Sequence, residues 1–158
     1  MKTMVSFMKN NKEIFIIFIL NLIFFFPVIF QGKGLLDGNR LQAYEPWSNA
    51  LTTLTAPYNG LASDGPFYFF PFYKFAADSV KQGIIPLWDP YIGAGIPFWG
   101  NATFPVLYPG IILFYLIPLT HAWNMTFFLH LLLAGIGMYY FLRVIKLSRF
   151  SSLFGAVL

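Results

Sequence analysis

Asp64–Pro109, DGPFYFFPFYKFAADSVKQGIIPLWDPYIGAGIPFWGNATFPVLYP, is the stretch on which the reading of this chain turns. It is too rich in proline and glycine to cross a bilayer as one helix, and too aromatic to be a plain soluble linker. It lies between two apolar segments that are each long enough to span. A connection between membrane helices needs only a few residues, and long loops are uncommon unless they have a role of their own. Asp64, Asp78 and Asp89 fall inside it. Any chemistry the chain performs is expected here.

Composition points to a membrane protein. The chain has 158 residues, of which 58% are hydrophobic, 21% aromatic and only 10% charged. Soluble proteins average about 45–50% apolar and about 25% charged residues, and a small soluble domain has too much surface to hide such an excess. The net charge of +4 is small and dispersed, with no basic patch of the kind nucleic acid requires. The chain contains no cysteine, which excludes disulfides and thiolate metal sites. No metal-ligand spacing is present elsewhere.

Ile14–Phe30 (IFIIFILNLIFFFPVIF) reads as a transmembrane helix, preceded by Lys2, Lys9 and Lys12 in a cytoplasmic N-terminus over 1–13. The run is longer than a signal-peptide core, and no small-x-small cleavage site follows it. Ala122–Leu142 reads as a second span, with Trp123, Tyr139 and Tyr140 as interfacial aromatics. Arg143, Lys146 and Arg149 then form a basic cytoplasmic loop over 143–149. Opposite directions for the two spans leave 31–105 outside the cell. Within 106–119 an apolar run bounded by Pro109 and Pro118 is short for a span, and is expected to be a helix that does not cross. Phe150–Leu158 is expected to begin a further transmembrane helix, about 13 Å long at nine residues. The expected chain is thus the N-terminal part of a longer all-α polytopic membrane protein.

Within the outer loop, helical spacing over 71–82 puts Phe72, Phe75, Ala76 and Ser79 on one side and Lys74, Asp78, Lys81 and Gln82 on the other. Pro71 suits the first turn, and Gly83 supplies the stop. Such a helix either lies along the membrane surface with Phe72 and Phe75 in the interface or packs against the rest of the loop. Two readings of Asp64 stand. Ser63 or Asp64 caps a helix with Pro66 in its first turn, or Asp64 is a carboxylate desolvated enough to act as a general base. Asp37 lies in an Asp-Gly turn dipeptide. Trp88-Asp89-Pro90-Tyr91 reads as a rigid turn, and Gly93 and Gly95 permit positive φ or close backbone approach. His130, alone within a span, is expected to hydrogen-bond between helices.

Taken in order, Asp64, Tyr68, Pro71-Phe72, Gly83, Pro86–Tyr91, Gly93, Gly95, Pro97, Asn101 and Tyr108-Pro109 resemble the first outer loop of YfhO-like bacterial membrane proteins. His130, Ala134-Gly135, Met138-Tyr139, Arg143 and Ser148 continue the resemblance, which runs from about Asp37 to Leu158. PLWDPYIGAGIP is its most specific part. That family in turn resembles the C-type (GT-C) glycosyltransferases, and relatives are several times longer than this chain. The resemblance implies an enzyme of the bacterial cytoplasmic membrane that takes a sugar from a polyprenyl-phosphate carrier. It would pass the sugar to an envelope glycan or lipid acceptor on the outer side. It implies Asp64 as catalytic carboxylate, with Asp37 second, and leaves room for a divalent cation as cofactor. Arg40, Lys74 and Lys81 stand where a cation could meet the carrier phosphate, and Trp88, Asp89 and Tyr91 join them as substrate-binding candidates. Two alternatives from other classes are a transporter or flippase component, for which the spans offer only Asn21, Asn124 and His130, and a non-catalytic membrane scaffold.

Overall fold

The computed structural model describes residues 12–50, 61, 63–101 and 108–158, the side chains of Arg40 and Ala50 excepted. The architecture is all-α apart from one two-stranded ladder. Helices α1 (Lys12–Phe24) and α2 (Phe26–Phe30) are followed by α3 (Trp47–Ala50), α4 (Phe70–Lys81), α5 (Ile112–Leu116), α6 (Leu119–Val144) and α7 (Arg149–Val157). Tight 3-10 turns occupy Gly38–Ala43 and Pro109–Ile111, and a π-helical turn occupies Gly65–Phe69. Strands β1 (Trp88–Asp89) and β2 (Ile96–Pro97) pair antiparallel. The chain forms two compact units, Met1–Lys33 with Met125–Leu158, and Gly34–Asn124.

In the first unit, the apolar run expected as one helix over 14–30 is two helices divided at Phe25. Pro27 is the cause. It has no N–H to continue the ladder, and the next donor, Val28 N–H, bonds back only three residues to the Phe25 carbonyl at 3.0 Å. Among the described residues, α6 is the one helix long and apolar enough to cross a membrane by itself. Its 26 residues extend the expected span at both ends and give a length of about 39 Å.

This unit buries several polar side chains and leaves many large apolar ones exposed. Glu13, Asn21 and Ser152 are buried, whereas Phe24, Phe30, Leu133 and Phe150 are largely exposed. Asn21 Nδ2 donates to the Phe128 carbonyl at 3.1 Å. Three helices come close together at Gly135 of α6. A methyl group there would lie 3.0 Å from Ile17 of α1 and 3.3 Å from the Ala156 carbonyl of α7. Of the three expected interfacial aromatics only Tyr140 is exposed, while Trp123 and Tyr139 are buried. His130, expected to bridge helices, places Nδ1 2.6 Å from the Thr126 carbonyl of its own helix.

The end of α6 is a Schellman motif. Leu147 N–H bonds the Leu142 carbonyl and Lys146 N–H the Arg143 carbonyl, both at 3.1 Å. Lys146 takes the left-handed position at φ 66° that glycine usually fills. Arg143 adds a side-chain bond to the Leu147 carbonyl. Ser148 then caps α7, its Oγ accepting from Ser151 N–H at 3.1 Å.

The second unit has its core where α4 meets the segments after it. Phe72 of α4 is 1% exposed and packs with Phe98, Ile111, Phe114 and Trp123. The Tyr73 and Phe114 rings stack at 4.1 Å and 15°. Burying a Phe side chain of this kind contributes roughly 1.5–3 kcal/mol. The helix expected over 71–82 is therefore present one residue earlier, with Pro71 in its first turn and Gly83 at φ 74° ending it. Its apolar side faces protein, which corrects the alternative that places Phe72 in the membrane interface.

The helix expected within 106–119 also needs correction. Residues 102–107 lie outside the described residues, and from Pro109 the chain is helical only to Leu116. Ile117 is extended, at φ −125° and ψ 165°, because the residue before a proline is driven out of the helical region. Leu119 then belongs to α6.

Candidate functional site

The ten residues Trp88–Pro97 form a small hairpin whose geometry follows from its sequence. Asp89 pairs with Ile96 and Trp88 with Pro97. Asp89 is buried, and its Oδ1 accepts the Tyr91 N–H at 2.9 Å, a side-chain turn that starts the loop. Gly93, Ala94 and Gly95 all carry positive φ, at 55°, 66° and 109°. Gly95 has a second duty. A methyl group on it would fall 2.4 Å from Trp88 Nε1, so only glycine lets the indole lie across this backbone. The rigid turn expected at 88–91 is thus the entry to a hairpin. Phe98 N–H, bonding the Leu87 carbonyl at 2.9 Å, extends the pairing past the ladder.

Between this hairpin and α4 lies a groove of about 780 Å³. From α4 it receives Lys74, Asp78 and Ser79, with Gln82 at the cap that follows; from the hairpin it receives Trp88, Asp89 and Tyr91. The intervening Ile84, Ile85 and Pro86 complete one wall. Trp88 and Tyr91 are 54% and 83% exposed, so both side chains are accessible to a ligand, and Tyr91 meets Phe75 edge-on at 5.9 Å. Lys74 Nζ lies 2.6 Å from Asp78 Oδ2. This exposed i,i+4 pair adds only about 0.3–0.5 kcal/mol to stability, but it neutralises Lys74, the one cation lining the groove among the described residues. Counting Asp89, the lining carries one net negative charge (Lys74 against Asp78 and Asp89).

Four of the expected substrate-binding residues, Lys74, Trp88, Asp89 and Tyr91, are thus brought to one groove. Lys74 arrives with a carboxylate attached, which removes it as an isolated cation for phosphate. Lys81 is exposed in the last turn of α4 and does not line the groove. Arg40 lies in the 3-10 turn, and its side chain is outside the described residues. Asp78 and Gln82 were legible only as a helical face: the i, i+4, i+8 row of 74, 78 and 82 is the signal that places them together, whereas Ser79 was expected on the opposite face and lines the groove as well.

The two candidate catalytic carboxylates lie elsewhere in the same unit. Asp64 is exposed and its backbone is already helical, at φ −66° and ψ −31°, with no side-chain cap bond. Both expected environments are therefore corrected: Asp64 neither caps the helix nor is desolvated. Its hydrogen-bond partner is the Ser63 hydroxyl at 3.5 Å, beyond the usual O–H···O range. Asp37 precedes the 3-10 turn, also without a cap bond. Their chain neighbours meet, since a methyl group on Gly65 would contact the Leu36 side chain at 3.7 Å. Asp64 is eight residues before Phe72, roughly 12 Å along a helix axis, so it is not part of the groove. Among the described residues no group of three or more His, Asp or Glu side chains is arranged to hold a metal ion.

Two phenols near the core have shifted acidity. Burial pushes Tyr73 above its ordinary value of 10.0, with Tyr108 adding to the rise. Burial alone does the same at Tyr115. Both remain neutral hydrogen-bonding groups through the physiological range.

No family model, curated protein or solved structure matches the chain. The functional reading therefore rests on the residues and the geometry above.

Proposed function

We propose that this chain forms part of a multi-pass membrane glycosyltransferase that uses a polyprenyl-phosphate-linked sugar to modify an envelope glycan or lipid. The observation that carries the reading is the groove. Two exposed aromatic rings, an ion pair, an amide and a hydroxyl converge on an apolar-walled recess. Sugars have that same duality, an apolar ring face and a hydrogen-bonding rim. The exposed apolar side chains of the first unit and the length of α6 support a membrane setting, and the charge pattern of the sequence supports an extracytoplasmic position for 31–105. Asp64 is assigned as the general base that takes the proton of the acceptor hydroxyl, with Asp37 as the next carboxylate. An exposed carboxylate with no cap bond to break is free to meet a substrate.

Asp64→Asn tests the assignment, because it removes basicity while keeping size. Since Asp64 makes no cap bond, abundance and thermal stability should not change. Transfer of radiolabelled sugar from the polyprenyl carrier in membranes should fall by roughly 10²–10⁴-fold. Near-normal transfer by Asp64→Asn, with Asp37→Asn impaired, would move the role to Asp37. Normal transfer by both would sink the carboxylate mechanism.

A further inference from the structure

A second cavity, of about 380 Å³, adjoins the groove. Val80, Gly83, Trp99 and Tyr115 line it, together with Ile84, Ile85 and Pro86. Those last three residues also line the groove, so one short ridge separates the two spaces. The two sides of the ridge differ in chemistry. On the groove side stand Lys74, Asp78, Gln82 and Asp89; on the other, no described residue carries a charged side chain. Ile84 and Ile85 are themselves 56% and 64% exposed. Adjacent exposed isoleucines on a loop are costly in water, and they are explained when hydrocarbon covers them.

From this juxtaposition we propose that the two cavities bind one amphiphile, an uncharged glycolipid. Its sugar head lies in the groove against Trp88 and Tyr91, and its hydrocarbon tail crosses Ile84–Pro86 into the second cavity. Charge decides the class of head. A phosphate would meet a lining with net negative charge whose single ammonium is already held by Asp78 at 2.6 Å. A neutral polyol meets no such repulsion: its hydroxyls can bond Lys74, Asp78 and Gln82 without separating the ion pair. Its apolar ring face can lie on an indole that Gly95 holds in place. The size of the second cavity suits several methylenes of a chain, each contributing about 0.8 kcal/mol when buried. A place for this lipid in the transfer reaction rests on the transferase reading above; its binding does not.

The test uses the full chain in phosphatidylcholine nanodiscs and a photoreactive alkyl glucoside, with labelled peptides identified by mass spectrometry. Labelling is expected within Val80–Trp99 when the photoreactive group is on the tail. Octyl glucoside should compete, whereas free glucose and octyl phosphate should compete at least about tenfold more weakly. Trp88→Ala should reduce labelling by about tenfold through the lost ring contact. Val80→Trp, which fills the second cavity, should likewise reduce tail labelling by about tenfold. Octyl phosphate competing as well as octyl glucoside, or labelling unchanged in both variants, would overturn the proposal. The transfer assay separates the two readings. Binding as described with no transfer activity would leave the lipid site standing and remove its link to transfer. Transfer activity untouched by Trp88→Ala and Val80→Trp, with no labelling, would do the reverse.

Discussion

Gly95 and Trp88 are locked together: a single methyl group on Gly95 would sit 2.4 Å from the indole nitrogen and 2.5 Å from Cζ2. The contact involves the indole's rigid bicycle, so no flexible chain end can swing aside. The φ of 109° at Gly95 adds a second obstacle, because non-glycine residues rarely adopt it. Gly95→Ala should therefore expel the indole and loosen the hairpin, at a cost of about 1–3 kcal/mol. Gly93→Ala is the control. Its φ is also positive, but nothing lies within 4 Å of an added methyl group, so the cost should stay near 1–2 kcal/mol with Trp88 in place. Fluorescence of a variant retaining Trp88 as its only tryptophan distinguishes them. A red shift is expected for Gly95→Ala alone, and equal spectra would contradict the locked geometry.

Alkaline pH should weaken the second unit through Tyr73. Its phenol is raised in the folded protein by burial and by Tyr108, whereas the unfolded chain ionises near the ordinary 10.0. A raised value means the folded state holds the proton more tightly. The associated stability is complete below about pH 10 and is lost as pH rises through the folded value. Tyr73→Phe removes that loss. The gap in melting temperature between parent and variant should thus narrow, or reverse, between about pH 9 and pH 11. A gap that stays constant over this range would show that Tyr73 does not govern the alkaline limit.

Topology can be read with cysteines, because the chain has none of its own. Leu61 is 95% exposed and Phe150 is 79% exposed. On the proposed arrangement, Leu61→Cys reacts with an impermeant maleimide in intact cells, and Phe150→Cys reacts only after the membrane is opened. External labelling of Phe150→Cys would put the basic segment after α6 outside and remove the positive-inside argument.

The sequence was most legible where one residue dictates backbone geometry. Pro71 and Gly83 bracket α4 to within one residue, and Gly93 and Gly95 take the positive φ expected of them. It was least legible where a proline acts at a distance. Pro27 divides the first apolar run two residues upstream of itself, and Pro118 ends a helix at Leu116; hydropathy averages across both. Strands of two residues have no periodicity to detect, so the hairpin was visible only as a turn. The groove was half legible. Its aromatic side lay in one motif, but the pairing of Lys74 with Asp78 reverses what Lys74 contributes, and charge state in context cannot be read from a single position.

The hydrogen bond between Asn21 and Phe128 ends on main chain. Every residue type offers a carbonyl, so no change of side chain at 128 can delete the acceptor, whereas almost any change at 21 deletes the donor. The two positions of one contact therefore carry unequal mutational loads. Position 128 is free to drift as far as its ring contacts with Phe18 and Phe25 allow. Position 21 is sensitive to register: sliding α1 along α6 by one residue, about 1.5 Å, takes the amide off its acceptor.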